Sequence, residues 1–289
     1  MIIVTADQAS DFSLSVVVTG GDGVQWDLLD GPVRLGPGVQ LFGPVDVEHQ
    51  WRDAPALDGS FWQGYRVPRG DVVMPVHMDA ATPAALRALH ATFLRSVHPS
   101  RECSVTVSTT GAAARTTKVR RVSGANPALD YNPFLNGHVE MTLDFAQPWP
   151  FWSVDPVRYE WAVADTTEPG RPPVNTTGER PVSNGGDVAV PTKWTAFGAF
   201  NNATFGVGSD TVTYSAAVHD GRFVVVNEDP RHDGVAVVDQ DGVDRWANVT
   251  NRRFAAIQPG DSFVRLGVTN PGVNAKVRLE FTPAYEQAW

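Results

Sequence analysis

His138-Val139-Glu140-Met141-Thr142-Leu143-Asp144-Phe145 alternates apolar and polar residues without a break. In an extended chain successive side chains point to opposite faces. Val139, Met141, Leu143 and Phe145 therefore share one side, and Glu140, Thr142 and Asp144 the other. A helix would scatter both sets, so the stretch is a strand with one face on a core and one in water. Val72, Met74, Val76 and Met78 repeat the pattern, although Pro75 on the opposite face has no N–H to give and places that strand at an edge or bulge. Val277, Leu279 and Phe281 follow the same rule, and Phe223 with Val225 and Val235 with Val237 give shorter versions. Cys103-Ser104-Val105-Thr106-Val107 reads as another strand, with Cys103 on its buried side.

Between these runs stand six Asp-Gly pairs, beginning at Asp22, Asp30, Asp58, Asp220, Asp233 and Asp241, and two Asn-Gly pairs, at Asn136 and Asn184. Both residues of such pairs tolerate positive φ, which tight hairpins require. One helix interrupts the strands. Thr82 can cap it, Pro83 fits its first position, and Leu86, Leu89, Phe93 and Val97 fall on one face, predicting a helix over about 83–97 packed on the sheet. Residues 165–180 are polar, carry three prolines and show no periodicity. They read as a linker or long excursion. The expected organisation is all-β with one main helix: a first β domain over 1–164, a linker over 165–180, and a β-sandwich of about eight short strands over 181–289.

The composition narrows the function. The chain has 289 residues, 42% of them hydrophobic and 19% charged, enough for real cores. A net charge of −9 argues against a nucleic-acid partner, whose binding rests on neutralising phosphates. Lys118, Arg120 and Arg121 read as the solvated face of a strand. One cysteine excludes an internal disulfide framework and a cysteine zinc cluster. Met1-Ile2-Ile3-Val4-Thr5 lacks a basic leader region, and no run approaches the ~20 apolar residues of a membrane span. The reading is a soluble product made in a cytoplasm, with no membrane association.

No phosphate-binding glycine loop, nucleophile elbow or His-Glu-x-x-His occurs, so no catalytic, cofactor-binding or metal-ligating residue is assigned. The acidic run from Asn227 to Asp244 lacks the spacing that gathers oxygens round calcium, and its Asp residues stand before Gly or Pro as in turns. Asn175, Asn202 and Asn248 begin Asn-x-Thr triplets, read here as turn and strand chemistry. The unusual feature is nine tryptophans. They suit core and interface packing. The alternative is a carbohydrate-binding module that recognises host-wall glycans, with Trp194 or Trp246 stacking on sugar.

Several blocks, taken in order, resemble one family. Asp58-Gly-Ser-Phe61-Trp62-Gln-Gly-Tyr65-Arg66-Val-Pro-Arg69-Gly-Asp-Val72 leads into an apolar strand and then the helix. Gln147-Pro-Trp149-Pro-Phe151-Trp152 closes the first domain. Arg180-Pro-Val-Ser-Asn184-Gly185-Gly186-Asp187-Val188-Ala-Val190-Pro191 opens the second. Gly221 to Val226, Asp241 to Trp246, Pro259-Gly260 and Phe281 to Trp289 complete the series. Together they look like the distal tail proteins (Dit-like minor tail proteins) of siphophages, especially those infecting actinobacteria. The chain departs from that pattern with Gly185 where the family favours proline, and with Pro150-Phe151 inside the closing motif. The resemblance implies a structural virion protein with no catalytic residues. It implies a ring, usually of six copies, formed by the first domains at the end of the tail tube, with galectin-like second domains projecting outward. Its partners would be further copies of itself, the tail tube protein, the tip hub (baseplate) and, in some phages, receptor-binding proteins.

Overall fold

The computed structural model describes residues 13–40, 42–53, 58–127, 132, 137–163, 176–229 and 236–289. Strands dominate it, with one α-helix among the described residues. The chain divides into two compact units, Met1–Val154 with Tyr285–Trp289, and Asp155–Ala284. The break thus lies ten residues before the expected boundary at 164/165, and residues 176–180 of the expected linker are strand. Residues 165–175 of that stretch, like Ala164, Asp233, Val235 and Asn136, lie outside the described residues.

Unit 1 contains β1 (Leu14–Thr19), β2 (Gln25–Asp27), β3 (Val33–Leu35), β4 (Glu48–Asp53), β5 (Ser60–Arg66), β6 (Gly70–Asp79), α1 (Pro83–Ser96), β7 (Cys103–Thr109), β8 (Arg115–Pro127), β9 (His138–Gln147) and β10 (Trp152–Ser153). Its main sheet runs β2-β1-β7-β8-β9-β6-β3, antiparallel throughout, with β10 beside β8. Both long alternating runs behave as read. Val139, Met141, Leu143 and Phe145 are buried, as are Val72, Met74, Val76 and Met78. Pro75, however, does not mark the edge: β6 lies between β9 and β3. The reason is local. Gly36 N–H donates to the Pro75 carbonyl at 2.8 Å, just past the end of the short β3, so the missing N–H faces a place where the ladder has already stopped.

Helix α1 starts where expected, with Thr82 Oγ1 accepting from Ala85 N–H at 3.2 Å. Leu86, Phe93 and Val97 are fully buried, and Phe93 meets Trp26 edge-on at 5.2 Å between ring centres. Leu89 is only half-buried, because it lies on the flank of that stripe. Phe93→Ala should accordingly cost about 3–5 kcal/mol on denaturant melting, and Leu89→Ala below ~2 kcal/mol. Equal losses would show that the buried face is drawn wrongly.

Unit 2 contains β11 (Val157–Ala162), β12 (Thr176–Asn184), β13 (Lys193–Phe197), β14 (Asn202–Val207), β15 (Asp210–Tyr214), β16 (Phe223–Asn227), β17 (Ala236–Asp239), β18 (Val249–Arg252), β19 (Gly260–Thr269) and β20 (Lys276–Phe281). They form two five-stranded antiparallel sheets, β11-β20-β13-β16-β17 and β12-β19-β14-β15-β18. Among the described residues eight of these ten strands, β13 to β20, begin within 181–289, where about eight were expected; β11 and the start of β12 lie before it. Between the sheets lie Trp194, Ala196, Phe205, Val212, Val224, Val226, Val264, Leu266, Val277 and Leu279. On β16 the buried residues are Val224 and Val226, so the strand faces the opposite way from the Phe223–Val225 reading. Asn184-Gly185 is no hairpin either. Asn184 is buried at the end of β12, its amide donating to the Val188 and Ile257 carbonyls at 3.0 and 3.2 Å while its oxygen accepts from Gly186 N–H.

Two neighbouring carboxyls, Glu228 and Asp229, are buried in this second unit. Glu228 is buried just after β16, accepts a short hydrogen bond from Thr192 Oγ1, and burial pushes its pKa up to about 7. In the unfolded chain the group releases its proton near 4.5, while in the fold it keeps it to about 7. The folded state then binds more protons across that window, so stability falls as pH rises through it. The melting temperature should drop between pH 5 and 8, corresponding to about 3 kcal/mol in all. Glu228→Gln should flatten that slope; a slope unchanged in the variant would place its origin elsewhere.

Candidate interaction surface

Strands β4 and β5 form a sheet of their own. A lone two-stranded hairpin is marginal in water, and all six residues of β4 are exposed. Local polar contacts brace it. Glu48 takes the Arg66 guanidinium at 2.6 Å, and Ser60 Oγ donates to Asp53 Oδ1. Its register places His49 opposite Tyr65 and Trp51 opposite Trp62. Cross-strand partners share a face, and so do His49 and Trp51, two residues apart on one strand. All four rings therefore point the same way. Trp62 and Tyr65, three apart, would face opposite sides of a regular strand. The register shift after Gln50, with Gly64 at a φ of +147°, adds the extra residue that brings them together.

The result is a continuous aromatic face. His49 Nδ1 accepts from Trp62 Nε1 at 3.1 Å, its ring lies 6.1–6.5 Å from those of Trp51, Trp62 and Tyr65, and Trp62 stacks with Tyr65 at 19°. Trp51, Trp62 and Tyr65 remain 59%, 54% and 60% exposed, and Phe61, on the other face, 56%. A monomeric protein rarely leaves such a patch uncovered, and aromatic rings are the usual anchors of protein interfaces. Elsewhere in unit 1, Phe42 and β8 hold the segment 285–289: Ala288 N–H donates to the Phe42 carbonyl at 3.2 Å, Trp289 packs on Phe42, and Arg115 lies over Tyr285 while donating to the Gln287 carbonyl.

The two glycan candidates fall elsewhere. Trp194 is fully buried, stacks on Phe205 at 5.2 Å and donates from Nε1 to Thr192 Oγ1 at 2.8 Å. It has no face to offer a sugar, so that expectation is corrected: alternation puts it between the sheets. Trp246 opens a single 3-10 turn, Trp246–Asn248, and is partly covered by Phe254 at 6.0 Å and by the Arg252 guanidinium at 4.7 Å. The two tryptophans therefore make no common site.

Other groups singled out in the sequence have plain partners. Lys118 pairs with Glu102 at 2.9 Å, and Arg120 donates to the Pro99 carbonyl. Arg121 turns to the opposite side of β8 and is half-buried, with one guanidinium nitrogen unpartnered among the described residues. Cys103 is buried, its Sγ 3.6 Å from the Ser96 carbonyl, and desolvation pushes its pKa up, away from thiolate chemistry. In the acidic run, Asp239 Oδ2 accepts two N–H bonds from Arg245, and its Oδ1 accepts the N–H groups of Asp241 and Val243. That is turn chemistry. Among the described residues no three His, Cys, Asp or Glu side chains gather as metal ligands would, and no helix is long and apolar enough to cross a membrane.

The fold, with its helix-bearing antiparallel sheet and its two-sheet sandwich, is similar to those of a phage hub adsorption protein and a phage baseplate. The particular likeness is to the crystal structure of the SPP1 Dit protein, described as a paradigm of the hub adsorption apparatus in phages infecting Gram-positive hosts. The two superpose with a TM-score of 0.66 at 14% identity, over 94% of this chain and 99% of that one. The baseplate of phage P2 in its activated conformation, with calcium and with strontium, matches at a TM-score of 0.50 and 9% identity, over 93% of this chain and 98% of that one. At such identities the likeness is one of fold. No family model and no curated protein matches the sequence.

Proposed function

We propose that this chain is a structural component of a phage tail tip, a distal tail protein whose first units close into a six-membered ring. The observation that carries the reading is the extent of the fold match: both units, in the same order, over nearly the whole of both chains. The aromatic hairpin supports it independently, since it is too exposed to be left bare in a mature particle. In this reading the ring joins the last layer of the tail tube to the tip hub and the receptor-binding apparatus. The second unit is a galectin-like sandwich projecting outward. The protein does no chemistry; its work is assembly and host attachment. A ring with head-to-tail contacts uses two different patches per copy. The hairpin is one, and the other lies on unit 1 of the neighbour. An actinobacterial host follows from the sequence resemblance alone. Gold-labelled antibody against the chain should mark the tail tip of intact particles; label on the capsid or along the tube would overturn the reading.

A further inference from the structure

At one end of the unit 2 sandwich, β15 leaves one sheet and the chain crosses to β16 in the other. The turn after β17 and the 3-10 turn at Trp246–Asn248 close over this crossing and leave a cleft of about 390 Å³. That is within the size range of small-molecule sites, and loops gathered at the end of a sandwich are where β-sandwich domains commonly bind.

The lining has a definite chemistry. Arg222, Gln240, Arg245, Asn248 and His219 face the cleft. Both guanidiniums are already neutralised, Arg222 by Asp241 at 3.0 Å and Arg245 by Asp239 at 2.8 and 2.7 Å. Each nevertheless has five N–H donors, most of them uncommitted. The side chains of Gln240 and His219 make no hydrogen bond among the described residues, and the amide of Asn248 makes one long contact, 3.4 Å to the Tyr214 hydroxyl. Tyr214 and Phe223 supply an apolar flank.

Paired charges give little hold on a free anion or cation, and the wall sets these donors beside an apolar side made by Ala216, Ala217, Val218, Tyr214 and Phe223. A neutral molecule that offers hydroxyl groups at fixed spacing on an apolar ring matches both halves of this wall. We infer that this cleft is a saccharide-binding site, with Arg222, Gln240, Arg245 and Asn248 reading ring hydroxyls. The site stands on the second unit alone and is independent of the tail-tip reading. It also differs from the tryptophan stacking expected from the sequence, since neither Trp194 nor Trp246 lines it.

The test uses the intact chain and saturation-transfer NMR with the methyl glycosides of glucose, galactose, N-acetylglucosamine and rhamnose. Inorganic phosphate serves as the charged competitor. At least one glycoside should bind saturably in the millimolar range and should not be displaced by phosphate. Gln240→Ala, which breaks no protein hydrogen bond, should weaken it tenfold or more at unchanged melting temperature. Phe263→Ala, an exposed residue on β19 outside the cleft, should leave it unchanged. Absence of saturable binding by all four glycosides, displacement by phosphate, or binding that Gln240→Ala does not weaken would each overturn the site.

Discussion

Trp194→Ala is expected to destabilise unit 2 by about 3–5 kcal/mol, the usual cost of truncating a buried aromatic. Three losses combine. The indole leaves a large void between the two sheets. Phe205 loses its stacking partner at 5.2 Å. Thr192 Oγ1 loses the donor that holds it in place to bond the buried Glu228 carboxyl, leaving a polar pair less well satisfied in an apolar core. Chemical denaturation followed by tryptophan fluorescence and by far-ultraviolet circular dichroism would measure it. A loss below ~1 kcal/mol, together with any loss of sugar binding, would return Trp194 to the surface role that its sequence context suggested.

The second large effect concerns association. Trp51 and Trp62 face each other across the hairpin, and both are more than half exposed. If this face seats on a neighbouring copy, each ring is a central anchor, and truncating an anchor of this kind costs about 2 kcal/mol or more. The double variant Trp51→Ala/Trp62→Ala should therefore weaken self-association by about a thousandfold, since every 1.4 kcal/mol is a factor of ten. The melting temperature of the monomer should barely move, because these side chains cover none of its core. Sedimentation equilibrium of both proteins would check this. Unchanged association would remove the hairpin from the interface; a large fall in monomer stability would show that the rings brace their own unit.

Much of this fold was legible in the residues because burial writes a period into the chain. Val139 to Phe145 and Val72 to Met78 declare strands at a period of two, and Leu86, Phe93 and Val97 declare a helix beside them. The Asp-Gly pairs mark turns because glycine at positive φ is nearly obligatory there, as at Gly23, Gly59, Gly221 and Gly242. What failed did so where a non-local fact decides. Pro75 reads as an edge residue, but the length of β3, set elsewhere, makes its position harmless. Phe223 and Val224 begin a run apolar on both faces, so periodicity could not orient β16. Residues 157–162 gave no sign that they belong with β20, over a hundred positions later. The interaction surface was half legible. Nine tryptophans suited interface packing, but the gathering of Trp51 and Trp62 on one face depends on a one-residue bulge that no alternation rule foresees. The cleft at the sandwich end was invisible, because its walls come from loops that only the packed sheets bring together.

The central claim is that the first units close into a ring at the tail tip through the aromatic hairpin. Electron cryo-microscopy of the intact particle tests it most directly. The expected reconstruction has six copies of unit 1 about the tail axis, at the end of the tube, each with Trp51, Trp62 and Tyr65 covered by the adjacent copy across an interface of more than ~1,000 Å². Copies found away from the tip, a stoichiometry that no ring there can accommodate, or a ring in which the hairpin stands free in solvent would contradict it.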